Sequence, residues 1–421
     1  MGVTQSVSTV PLIELGRRAK VAGHVLAATP GAAKDSALNL AADLFEERTG
    51  ALLGANEIDM ARAESAGLTP AQLDRLRLTE GRVRAMAGGM RDVAVIPDVV
   101  GEVVEGYVRP NGLRVERVRV PLGVVGVIYE NRPNVTADAA GLCLKSGNAT
   151  MLRGSSSAID SNRAIVSCLR EALSKVGLPA DAVTLVENTT HEDAIAFMQL
   201  DQVIDCLVPR GGHSLVTSVR EHATVPCVID GDGNCHIYVD ATADLDMALA
   251  IVVNAKTQRP GVCNAAETLL VHREVAEAFL SLARSALEGV ELLGDERARD
   301  LMPGIGAATD EDFATEFLDM KLAVAVVDDL DAAMGHIARY SSGHSEAIVT
   351  GDLVNAERFC REVDSAAVLV NASTRFVDGA ELGLGAEIGI STQKLHARGP
   401  MGLRALTSVK YVVRGDGHVR T

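Results

Sequence analysis

From residue 123 to residue 370 the chain alternates short β-branched runs with amphipathic stretches, and this rhythm restricts the fold more than any other feature. Val124 to Ile128 reads as a strand, 135–146 as a helix and Ala149 to Leu152 as a second strand. Ser157 to Lys175 follows as a helix, then strands at 182–186, 203–208 and 225–229. A second series opens near His236. Its strands are expected at 236–239, 267–271, 322–327, 346–350 and 367–370, with helices near 244–256, 274–288, 330–340 and 354–363. Strands joined through helices pair in parallel, so the fold class expected is α/β, with two α/β lobes built on parallel-type sheets.

The flanks read differently. Residues 5–93 read as helical, with Leu38, Leu40, Ala41, Leu44 and Phe45 sharing one face. Glu102 to Val108, the turn Arg109-Pro110-Asn111-Gly112 and Leu113 to Val120 then read as a β-hairpin, because Asn-Gly is a strong hairpin signal. The tail is Gly-rich from 376 and strand-like from Leu406 to Val413. A half-exposed ribbon of this kind can pair with the sheet edge of another subunit, so a homo-oligomer is expected.

Composition excludes several functions. Aromatic residues make up 3% of the chain and Trp is absent, which removes stacking platforms for single-stranded nucleic acid. The net charge of -16 repels a phosphate backbone, so no nucleic-acid partner is expected. No apolar run reaches the roughly 18 residues of a membrane span, and residues 1–28 lack a secretory pattern. The seven cysteines are odd in number, scattered and without C-x-x-C, which argues against a disulfide framework or a metal site. The expected setting is the reducing cytoplasm, with a small-molecule substrate.

One of those cysteines stands apart. Lys256-Thr257-Gln258-Arg259-Pro260-Gly261-Val262-Cys263-Asn264 carries a helix into a Pro-Gly turn that delivers Cys263 ahead of a strand. A thiol placed this way is presented, and the charges of Lys256 and Arg259 would favour its thiolate. Cys235 opens a strand-like run and reads as structural.

The common dinucleotide fingerprint G-x-G-x-x-G is absent from the first lobe. Two loops at strand ends stand in its place. Met151 to Ser157 offers Arg153 and three serines, and Val208 to Ser214 offers Arg210, Gly211 and Gly212 at a helix start. Each is an anion cradle or an ordinary turn. Their common position, after parallel strands, is where α/β sheets bind ligands. Tyr129 to Asn134 is likewise a simple turn or a place for an Asn donor to an oxyanion.

The order G-V-I-x-x-N-x-P (Gly126 to Pro133), S-G-N-A-T-M-L-R (Ser146 to Arg153), a Gly-Gly loop, a Cys after a long helix, and Val370-Asn371 resembles the aldehyde dehydrogenase superfamily. The strings at 254–264, 370–376, 384–388 and 391–403 resemble its members that act on an acyl phosphate. The resemblance covers residues from near 5 to 421. It implies an oxidoreductase that works through a Cys263 thioester, with Asn131 and the Cys263 N–H as oxyanion hole. It implies NADPH as cofactor (NADP in the reverse direction), with Arg153, Ser155 and Ser156 suited to its 2′-phosphate. Arg210, Gly211, Gly212 and Glu316 are the other cofactor candidates, Glu316 for the nicotinamide ribose. Lys256 and Arg259 would meet the leaving phosphate, and Ser373, Thr374, Arg375 and Arg398 the rest of the substrate. The implied domains are 1–100 with 121–233 for cofactor, 234–375 for the nucleophile, and 101–120 with 376–421 for bridging and oligomerisation. A kinase that hands over the acyl phosphate is the implied protein partner.

The chain departs from hydrolytic relatives at one point. Their Glu base in an E-L-G-G string is replaced by Ile229-Asp230-Gly231-Asp232-Gly233. That fits a thioester that meets phosphate instead of activated water, although Asp230 remains open as a base. His396 is open as a base or a structural residue.

Overall fold

The computed structural model describes residues 10–420, so residues 5–9 of the helical reading lie outside the described residues. The chain forms two compact units. One comprises the described residues of Met1–Ile229 with Leu384–Gly389 and Met401–Thr421; the other comprises Asp230–Gly383 and Ile390–Pro400. The tail from 376 is therefore divided between them.

The first unit opens with helices Leu12–Ala27, Gly31–Glu47, Thr49–Ser65, Pro70–Leu76 and Glu80–Val95. Local chemistry sets their starts: Thr69 and Gln72 close a capping box with Pro70 in the first turn, and the Thr79 hydroxyl accepts the Arg82 N–H. Four parallel strands follow, in the order Val183–Leu185, Ala149–Arg153, Val124–Tyr129, Cys206–Arg210. Every residue of Val124–Tyr129 is buried, as a strand covered on both faces requires. The register pairs Ile128 with Arg153 and Tyr129 with Arg210, which brings three loops together at one sheet end.

The strand expected at 225–229 does not form. It is reduced to one bridge, Leu207 to Cys227, in which the Pro226 carbonyl accepts the Leu207 N–H at 2.8 Å. Pro226 has no N–H to extend a ladder.

The hairpin is present as Val103–Val108 and Arg114–Pro121, with Gly112 at φ +93° in its turn. Its second strand pairs with the chain's own Thr407–Arg414 over eight residue pairs. The edges of this three-stranded sheet are thus Val103–Val108 and Thr407–Arg414.

The second unit is built on a seven-stranded parallel sheet. Its order is Gly306–Ala307, Glu291–Gly294, Lys321–Val327, Ala266–His272, Cys235–Val239, Ser345–Val349, Ala367–Val370. Alternate residues pack to opposite sides. Ile237, Val239, Leu269, Val271 and Val324 meet helices Leu245–Thr257 and Arg273–Ala286 through Val252, Phe279 and Leu280. Tyr238, Leu270, Ala323, Ala325 and Val327 join Leu330, Ala333, Ile337 and Phe359 of helices Leu330–Tyr340 and Leu353–Glu362. The five expected strands occur to within a residue. Glu291–Gly294 and Gly306–Ala307 were not expected, because runs this short carry no periodic signal.

No helix among the described residues is long and apolar enough to cross a membrane, and no cluster of His, Cys, Asp or Glu among them could hold a metal ion.

Candidate active site

The Cys263 turn belongs to the second unit. Helix Leu245–Thr257 starts on Asp244, whose carboxylate accepts the Asp246 and Met247 N–H groups at 3.0 Å. It stops ahead of Pro260-Gly261, and a tight turn (Ala265 N–H to the Val262 carbonyl, 3.0 Å) leads into the strand Ala266–His272. Cys263 sits in this turn, partly exposed. Its backbone is fixed from one side. The Cys235 thiol donates to the Cys263 carbonyl at 3.2 Å, and Gly233 lies so close that a Cβ there would overlap that carbonyl. The neighbouring Asn264 is buried and donates to the Val377 carbonyl at 3.0 Å. Cys235 is wholly buried, which pushes its thiol well above the usual range and agrees with a structural role.

Glu316, expected at the cofactor, accepts the Gly233 N–H at 2.7 Å, and burial raises its carboxyl from the usual value. It therefore steadies the 230–235 segment behind the nucleophile. Asp230, left open as a base, accepts the Ile390 N–H at 2.9 Å and pairs along the backbone with Ser391.

Lys256 departs from expectation. It was assigned to a phosphate, but its side chain is wholly buried and paired with Glu267 at 2.5 Å, equally buried. A cation held in this way is not presented to substrate. Glu267 also accepts the Leu318 N–H at 3.2 Å, at a residue with φ +53°. Burial pushes the Glu267 carboxyl up to about 7 against the pull of Lys256. The sequence reading missed Glu267, although a lone carboxylate inside Ala265-Ala266-Glu267-Thr268-Leu269 is a signal in itself.

The other substrate candidates fall into two groups. Arg375 donates through Nε to Gln258 Oε1 at 2.7 Å, and burial, then the nearby Arg259 charge, lowers its guanidinium from the usual value. Arg259 is exposed on the same turn as Cys263. Ser373 is buried and caps the Arg375 N–H at 3.3 Å, while the buried Thr374 hydroxyl has no partner among the described residues. Arg398, in contrast, is held by Asp364 at 2.9 Å, which also pairs with Lys394. His396 is exposed.

In the first unit, Arg153 ends the strand Ala149–Arg153 and donates through Nη2 to the Thr189 and Thr190 carbonyls at 2.8 and 2.9 Å. Its Nε is buried and meets no acceptor among the described residues. The Gly-Gly loop behaves differently from a phosphate cradle: the Gly212 N–H donates to Glu130 Oε2 at 3.1 Å, so a carboxylate of the chain itself meets it. Gly211 has no room for a Cβ against Glu130 and Leu215, and Arg210 pairs with Tyr129 at the strand end. Ser156 is exposed. Ser155 turns to Asn131 instead of standing open for a cofactor: its hydroxyl donates to Asn131 Oδ1 at 2.7 Å. Ser157, the third serine of that loop, donates to the same oxygen.

Three comparisons bear on these two halves. A family profile described as "Aldehyde dehydrogenase family" matches residues 12–320. A gamma-glutamyl phosphate reductase of Thermobifida fusca is 54% identical over 409 residues, 97% of this chain and 98% of the relative. One from Caldanaerobacter subterraneus is 53% identical over 406 residues, 96% of this chain and 98% of the relative. The crystal structure of a gamma-glutamyl phosphate reductase from Thermotoga maritima superposes with a TM-score of 0.95 at 47% identity, covering 97% of this chain and 99% of that one.

Proposed function

The chain belongs to the aldehyde dehydrogenase family and, within it, to the γ-glutamyl phosphate reductases; from that premise we propose that it is a phosphorylating glutamate-5-semialdehyde dehydrogenase. It reduces L-glutamyl 5-phosphate with NADPH, the second step of proline biosynthesis from glutamate. The aldehyde product cyclises without enzyme to 1-pyrroline-5-carboxylate.

The observation that carries this reading is the presentation of Cys263: a partly exposed cysteine on a turn whose carbonyl is anchored from behind. The Cys263 thiolate attacks the acyl carbon, and phosphate departs with both electrons of the C–O bond, leaving a thioester. Asn131 and the Cys263 N–H donate to the oxygen that becomes negative. Arg259 meets the departing phosphate, and Ser373, Thr374 and Arg375 meet the far end of the substrate. A reduced nicotinamide, held by Arg153 and Glu316, would supply the hydride when bound. Cys263 then leaves as thiolate and the aldehyde is released. Asp230 is tied to Ile390, which supports a thioester that is not handed to activated water.

For the cofactor, the buried Nε of Arg153 is the kind of orphaned donor that a 2′-phosphate oxygen satisfies. Ser156 and Arg210 flank it in the proposed site, and Glu316 holds the nicotinamide ribose. The first unit is assigned to cofactor and the second to the nucleophile. The acyl phosphate is labile, so a donor such as glutamate 5-kinase is the proposed partner. Self-association through the edges Val103–Val108 and Thr407–Arg414 and a cytoplasmic setting complete the proposal.

The reverse reaction tests it. Protein, pyrroline-5-carboxylate and NADP⁺ should yield NADPH only when inorganic phosphate is present. Formation without phosphate would assign a hydrolytic dehydrogenase, and no formation in either case would refute the substrate.

A further inference from the structure

We propose that Ser155 and Ser157 are positioning residues that lock the side-chain amide of Asn131 with its carbonyl turned inward. Both hydroxyls lie on Asn131 Oδ1, Ser155 at 2.7 Å, and the two hydroxyls lie 2.8 Å from each other. An amide has one acceptor and two N–H donors. With the acceptor held by two hydroxyls, the donors are left over, and Asn131 Nδ2 meets no acceptor among the described residues. An oxyanion hole needs a donor held ready in this way, so that little reorganisation accompanies the reaction. The inference rests on the oxyanion role proposed for Asn131.

The fold supplies the frame for this clamp. The register of Ile128 with Arg153 starts the two loops side by side, so Asn131 and Ser155 lie three and two residues beyond a matched pair. Beneath them runs a buried chain. The Tyr129 hydroxyl lies 2.6 Å from that of Thr136, which donates to Asn162 Oδ1 at 2.8 Å. Gly154 lies against this chain; a Cβ there would strike the Asn162 amide and crowd the Tyr129 ring. Asn162 belongs to helix Ile159–Lys175, and Ser157 lies in the short turn that leads into it. Both loops are thus pinned from below before the serines grip Asn131 from the side.

This differs from the sequence-based assignment of Ser155 to the cofactor, and the two are separable. Steady-state kinetics of the phosphate-dependent reverse reaction would be measured for wild type, Ser155→Ala/Ser157→Ala, Asn131→Ala and the triple variant. The clamp predicts that the serine pair lowers kcat about tenfold, through misplacement of the donor. KM for NADP⁺ stays at the wild-type value, and the rate of Cys263 alkylation by iodoacetamide is unchanged. Asn131→Ala lowers kcat roughly a hundredfold, the usual cost of one oxyanion donor. The triple variant is no slower than Asn131→Ala, because the serines act only through that amide. Ser157→Thr on the Ser155→Ala background keeps one hydroxyl and recovers part of the loss. If thermal melting shows that the double variant is unfolded, the two single serine variants are read in the same way.

Two results overturn the proposal. One is a raised KM for NADP⁺ with kcat unchanged, which would return the serines to the cofactor. The other is a triple variant slower than Asn131→Ala by the full factor of the serine pair. A wild-type protein without phosphate-dependent turnover would refute the proposed reaction, and the clamp with it; a wild type that turns over with an insensitive serine pair refutes the clamp alone.

Discussion

Lys256 and Glu267 are joined at 2.5 Å with both side chains wholly shielded from solvent, one in the last turn of the helix before Cys263 and the other four residues after it. The pair therefore closes the nucleophile turn at its base. Removing one partner leaves a buried charge without compensation, whereas removing both leaves an apolar gap. Lys256→Met should lower the unfolding free energy by about 3–5 kcal/mol. The double variant Lys256→Met/Glu267→Leu should regain most of it. Urea denaturation of the three proteins checks this, and a double variant as unstable as the single would show that the ion pair itself is required.

The same carboxylate sets a pH dependence. Burial holds the Glu267 carboxyl at about 7 in the folded protein, above the roughly 4.3 of an unfolded chain. Folding therefore favours its protonated form, so its contribution is fully present below the unfolded value and is lost as pH rises through about 7. The stability difference between wild type and Glu267→Gln should move in favour of wild type between about pH 7 and pH 5. A difference that stays flat across that window would place the titration elsewhere.

What the sequence made legible, and what it did not, follows from the range of the interactions. The longer strands and helices of both units were readable because each carries its own periodicity, and Cys263 because Pro260-Gly261 marks a turn. Lys256 was misread because its partner Glu267 lies across a turn, in a different element. The contacts of Gly212 and Ser155 were unreadable for a related reason. Their partners Glu130 and Asn131 sit at the end of the neighbouring strand, a proximity set by sheet register and invisible in local sequence. The strand expected at 225–229 failed on Pro226, a signal that was present and outweighed by the apolar run.

Gly233 tests how closely the nucleophile turn is fitted. A Cβ at 233 would meet the Cys263 backbone, which cannot swing aside as a side-chain end can. Gly233→Ala should cost about 1–3 kcal/mol, the usual range for overpacking. It should also slow alkylation of Cys263, because relief requires the turn to move. Unchanged alkylation in a folded Gly233→Ala protein would show that the turn relaxes freely.

Among the seven cysteines, exposure and reactivity should separate. Cys360 is exposed and Cys263 and Cys227 partly so, whereas Cys143, Cys168, Cys206 and Cys235 are buried; burial pushes the Cys227 thiol up to about 11, which keeps it from forming the reactive thiolate. Iodoacetamide should therefore label Cys263 and Cys360 first. Loss of turnover should track label at Cys263 alone, as followed by peptide mass spectrometry. Cys263→Ala should abolish turnover and leave NADPH binding intact. Loss of both would make Cys263 structural.

Arg153 offers the sharpest test of the cofactor half, because it has two jobs that a single variant can separate. Nη2 holds the Thr189 and Thr190 carbonyls, and the buried Nε has no acceptor among the described residues. If Nε serves a 2′-phosphate, Arg153→Met should raise KM for NADPH about tenfold or more, the order expected for a charge-assisted contact. The same variant should leave KM for NADH nearly unchanged, since NADH lacks that phosphate. Loosening of the 189–190 turn would instead weaken both cofactors alike. Equal losses would therefore reduce Arg153 to a brace for the turn, and the preference for NADPH would have to come from other residues.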